Sequence, residues 1–79
     1  MPTILFLNGY RFFFYSDEGT EPAHIHVTKG DAGGKIWLEP ELEVVFFVNF
    51  TKREQREIME IVKINYFVFK NKWHDYFKK

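Results

Sequence analysis

The sequence predicts an α+β domain: a small antiparallel meander sheet of four to five strands, with one long C-terminal helix packed on one face. Three observations point there. Short β-branched and aromatic runs separated by turn residues fill residues 1–50. A capping box, Thr51-Lys52-Arg53-Glu54, then opens a stretch whose apolar residues recur three and four apart. The strands come before the helix, unlike the alternating units of a parallel sheet. With 79 residues the chain has room for one core, so a single domain spans 1–79, with 1–50 as sheet and 51–79 as helix.

Thr3–Leu7 is a β-prone run ending at Asn8-Gly9, a dipeptide that tolerates the positive φ values of a two-residue hairpin. Tyr10–Tyr15 returns from it with aromatic residues on both parities, as in a strand covered on both sides or lying at an interface. Ser16–Pro22 is an acidic, turn-rich loop, and Pro22, lacking an N–H, marks the start of the next strand, His24–Lys29. Gly30-Asp31-Ala32-Gly33-Gly34 reads as a turn. Lys35–Glu39 reads as the returning strand, with Ile36 and Leu38 on one face and Lys35, Trp37 and Glu39 on the other. If Lys29 and Gly34 close a four-residue loop, Val27 faces Ile36 and Ile25 faces Leu38. His26 then faces Trp37, and His24 faces Glu39.

Pro40 ends that strand. Leu42–Phe50 is a further one, with Leu42, Val44, Phe46, Val48 and Phe50 on one parity. Phe50 precedes the Thr51 cap as a hydrophobic staple would. The helix carries Ile58, Val62, Tyr66 (or Asn65), Phe69, Trp73 and Tyr76 on one stripe, widened by Ile61 and Val68. Asn71, a weak helix former, marks a candidate break, leaving Trp73–Phe77 as a docked tail with Trp73, Tyr76 and Phe77 clamping helix to sheet. Lys78 and Lys79 suit a helix C-terminus.

The totals narrow the function classes. The chain is 46% hydrophobic and 20% aromatic with ten Phe, which compensates for its size and leaves apolar surface for a partner or a homodimer. There is no cysteine, which excludes disulfides and thiolate metal sites. Neither a signal peptide nor a membrane span is apparent, so a cytoplasmic protein is expected. Net charge is zero, made of −4 over residues 1–50 and +4 over 51–79. Neutrality argues against bulk electrostatic binding of nucleic acid. The asymmetry permits head-to-tail self-association, or a basic face at Lys52, Arg53 and Arg56, where cations oppose the helix dipole and would suit an anion or an acidic partner.

The stretch best equipped for chemistry is Glu21-Pro22-Ala23-His24-Ile25-His26-Val27. In a strand, His24 and His26 share a face about 6.6 Å apart along the backbone. They could hold a divalent metal with Glu39, Glu21, Asp17 or His74 completing the set. They could instead act as metal-free acid and base on a ribose phosphodiester, with Lys35, Lys29 or Arg11 on the phosphate and Trp37, Tyr10 or Tyr15 stacked on a base. The simplest reading is structural: His24 beside Glu39 and His26 on Trp37. Its binding variant makes Tyr15, Glu21, His24, His26, Lys35, Trp37 and Glu39 a protein-recognition face.

Met1-Pro2-Thr3, Gly9–Ser16, the Pro22-Ala23-His24-Ile25-His26-Val27 block, Ile36-Trp37-Leu38-Glu39-Pro40 and Trp73-His74-Asp75-Tyr76-Phe77 together resemble the bacterial domain of unknown function 4160 family, over essentially the whole chain. Ala23 stands where the usual pattern has a second proline. The resemblance implies a small bacterial protein without an assigned activity, often encoded beside another small protein in a toxin–antitoxin-like layout. It therefore implies a protein partner, the product of an adjacent gene. The leading expectation is an interaction module of such a pair. The alternative is a small hydrolase, ribonuclease-like or metal-dependent, using His24 and His26.

Overall fold

The computed structural model describes residues 3–15 and 19–77. Among these, five strands form one antiparallel sheet in sequence order: β1 (Thr3–Leu7), β2 (Tyr10–Phe13), β3 (His24–Lys29), β4 (Ala32–Trp37) and β5 (Glu43–Val48). Two helices follow, α1 (Lys52–Ile64) and α2 (Tyr66–Tyr76). The expected α+β meander is the fold observed.

The first two hairpins of the sheet are set by their turns. Asn8 and Gly9 both have positive φ, 54° and 83°, the backbone a type I′ turn requires. β3 and β4 are joined by Gly30-Asp31 alone, with Lys29 opposite Ala32 and Gly30 at φ 60°. The expected four-residue loop is thus corrected to a two-residue turn, and every partner across this hairpin moves by two. His24 faces Trp37, Ile25 faces Ile36, and His26 faces Lys35. A two-residue shift preserves parity, so the division of faces stands although the pairs change.

Gly33 and Gly34 accordingly lie inside a strand, not in a turn. Gly34 has a packing reason: a Cβ there would sit 2.7 Å from Phe47 Cδ1 and 3.0 Å from the Phe46 carbonyl oxygen. β5 also departs from simple alternation. Lys35 pairs with Phe46 and Ile36 with Val44, leaving Val45 as the extra residue of a bulge. Val44 and Phe47 therefore share the helix-covered face, while Phe46 and Val48 share the other.

Tyr10, Phe12, Ile25, Val27, Ile36 and Leu38 of the sheet region meet Ile58, Ile61, Val62, Phe69 and Trp73 of the helices in one buried cluster. Hydroxyls reinforce this layer: Tyr10 donates to Glu57 at 2.7 Å and Tyr66 to the Leu38 carbonyl at 2.6 Å. Burial, then the Glu57 hydrogen bond, push the Tyr10 phenol up to about 12.

The capping box forms as expected. Thr51 Oγ1 accepts from the Glu54 N–H at 3.1 Å, and Glu54 Oε1 accepts from the Thr51 N–H at 2.9 Å. The single long helix does not form. The chain bends at Asn65, not Asn71, because the Asn65 side chain donates to the Ile61 carbonyl at 2.9 Å, the acceptor that the Asn65 backbone N–H also uses. Trp73 is a core anchor as expected, Phe77 is half-buried, and Tyr76 is half-exposed with its ring against Phe14. Lys78 and Lys79 lie outside the described residues.

Candidate functional site

Two rows of residues cross the sheet face that the helices leave uncovered. Phe13, His26, Lys35 and Phe46 are successive neighbours over β2 to β5. Phe6, Arg11, Thr28, Gly33 and Val48 run parallel to them over all five strands. The register, rather than any local motif, brings these residues together.

His24 and His26 have different surroundings despite sharing a parity. The His24 side chain is fully buried. Its ring lies 4.6 Å from Trp73, 5.4 Å from Trp37 and 5.1 Å from His26, so α2 and β4 wall it in at the start of β3. Its Nδ1 is 2.9 Å from the Pro22 carbonyl oxygen, which can only accept, so Nδ1 carries the proton. His26 is half-buried, stacked on Phe13 at 5.4 Å and met edge-on by Tyr15 at 4.9 Å.

A polar chain borders the pair. Lys35 Nζ is 3.0 Å from Glu21 Oε1 and 4.6 Å from the centre of the Trp37 ring, and the same Glu21 oxygen is 3.8 Å from His24 Nδ1. Arg11 lies over the Phe13 ring at 4.6 Å. Tyr15, Glu21, His24, His26, Lys35 and Trp37 are thus brought together as a group. Glu39 is not with them: it pairs with His74 Nε2 at 3.0 Å and Lys70 Nζ at 3.6 Å on α2. The hydrogen bond from His74 holds the Glu39 carboxyl below its ordinary 4.5. The expected His24–Glu39 pair is therefore replaced by His24–Pro22 with Glu21 nearby, a consequence of the shorter hairpin turn.

Of the suggested metal ligands, Glu21 is near His24, His74 and Glu39 pair with each other, and Asp17 lies outside the described residues. Among the described residues no group of three or more His, Asp or Glu side chains converges as a metal site would require. The contribution of Trp73 to this site was missed at the sequence level. Its helical spacing marked it as core, and nothing in that spacing showed that its ring would close over an imidazole.

A family model, Domain of unknown function (DUF4160), matches residues 9–74. The chain belongs to that family. No curated protein and no solved structure matches it. In this DUF4160 chain the matched region includes His24 and His26, the Lys35 and Trp37 strand, and Trp73 of α2. Those parts of the sequence are the ones that fold into the site, whose chemistry the family description leaves open. No helix among the described residues is long and apolar enough to cross a membrane.

Proposed function

We propose that this DUF4160 chain is a cytoplasmic protein-interaction module, one component of a toxin–antitoxin-like pair, which meets its partner through the helix-free sheet face around His26 and Trp37. The supporting observation is the composition and exposure of that face. Phe6 is 69%, Phe46 45% and Val48 50% exposed, and with half-exposed Tyr15 they surround the partly buried His26, Trp37 and Arg11. Aromatic and Arg side chains held rigidly on a sheet, with charged neighbours at the border, are the usual anchors of protein recognition. His24 lies on the same side, its ring 5.1 Å from that of His26, but a fully buried ring cannot itself touch a partner.

The hydrolase alternative asks both imidazoles to flank a substrate. The burial of His24 and the engagement of its Nδ1 with a backbone carbonyl weigh against it. RNA recognition fares no better: Lys35 is neutralised by Glu21, and Tyr10, one of the rings expected to stack on a base, is fully buried.

Co-expression with the product of the adjacent gene tests the proposal. The two proteins should co-purify, and Trp37→Ala and His26→Ala should each weaken the complex while leaving the circular dichroism of the chain unchanged. A chain that purifies alone overturns the reading. Growth arrest with loss of RNA, relieved by His26→Ala, would favour the hydrolase instead.

A further inference from the structure

Strand β5 lies at the edge of the sheet, with β4 on one side and no strand of this chain among the described residues on the other. Glu43–Val48 contains no Lys or Pro, and its charge is confined to Glu43 and its bulge to Val45, so Phe46–Val48 keeps a regularly paired, extended edge. Val44, Val45, Phe46 and Val48 are 38–50% exposed. Beside the strand runs an open groove of about 520 Å³, formed by Val44 and Phe47 of β5 with Met59 of α1 and bordered by Lys52, Arg56, Glu60 and Lys63.

We propose that a second copy of this chain covers the edge, its β5 adding antiparallel to this β5 about a two-fold axis normal to the sheet. Charge selects both the occupant and the direction. Exposed Glu41 and Glu43 lie at the start of β5, and exposed Lys52 and Arg53 follow its end. Antiparallel addition places the acidic start of each strand against the basic exit of the other, twice over, while Val44–Val48 meets its own copy. Parallel addition would set like charges against each other. The two-fold contact is self-complementary and closes at two subunits, whereas addition of β5 to a β1 edge would run on as a polymer.

In this dimer both helix layers lie on one side of a continuous sheet and both His26 faces on the other. His26 and Trp37 stay clear of the seam, which Phe46 and Val48 flank. Self-association is measured on the chain alone, so its failure is distinguishable from failure to co-purify with a partner. Sedimentation of the full untagged chain over a micromolar concentration series should show a monomer–dimer equilibrium. Glu43→Lys, which reverses the charge at the acidic start of both strands, should raise the dissociation constant about tenfold. Val45→Lys, at an exposed position, should give a folded monomer. A wild-type chain that stays monomeric, one that forms open polymers, or a Val45→Lys chain that still dimerises would each overturn the proposal.

Discussion

At the scale of single residues, the molecule depends on a few contacts that exchange poorly. Trp73 is 3% exposed and touches Phe14, Phe77 and His24. Trp73→Ala should lower the stability by about 3–5 kcal/mol in urea unfolding, a large part of what so small a domain has. Gly34→Ala sets a methyl 2.7 Å from the Phe47 ring, and should cost about 1–3 kcal/mol by overpacking, with a lower urea midpoint as the readout. Glu39 is a test by titration. It holds its proton less readily folded than unfolded, because His74 and Lys70 favour the carboxylate. Its contribution is complete above the ordinary value of 4.5 and is lost as pH falls through the lower folded value. Between 4.5 and that lower value, urea midpoints should fall less steeply for Glu39→Gln than for the native chain. The partners of Glu39 and His24 were not legible from the sequence, because both depend on whether the turn holds two residues or four.

At the scale of elements, local chemistry speaks more plainly. The Thr51–Glu54 capping box stands where the sequence places it, since both halves of the motif lie within one helical turn. Thr51→Ala should cost about 1 kcal/mol with an unchanged denaturant slope, as removal of an N-cap does in other helices. Asn8-Gly9 likewise closes its hairpin by its own backbone preference. Three element features needed more than local preference. The glycines of β4 look like turn residues until Phe47 is seen to require one of them. The bulge at Val45 reverses which of the β5 side chains face the helices. The helix bends at Asn65 rather than Asn71, for an Asn side chain bends a helix only where it reaches the carbonyl four residues back.

For the whole molecule, the balance of covered and uncovered apolar surface is the main result. One sheet face and one helical stripe bury a single core, while Phe6, Phe46 and Val48 stay exposed on the opposite face and β5 stays open at its edge. Ile64 and Phe67, 82% and 73% exposed at the bend between the helices, add to that surplus. A chain with this much free apolar surface should bind a reporter dye such as anilinonaphthalene sulfonate while natively folded, and lose the signal when its partner is bound. An equal signal from the chain and its complex would show that the partner sits elsewhere.

Taken alone, the sequence determined the fold class, the order of the elements, the capping of α1 and the parity that puts His24 and His26 on the same side of β3 as Lys35 and Trp37. These follow from periodicity and turn chemistry, which act over a few residues. Tertiary structure decided the register of β3 on β4, the sheathing of His24 by Trp73, and the separation of Glu39 from the histidine pair. Those depend on contacts between residues up to fifty positions apart, where a slip of two residues leaves the hydrophobic pattern intact and changes every partner.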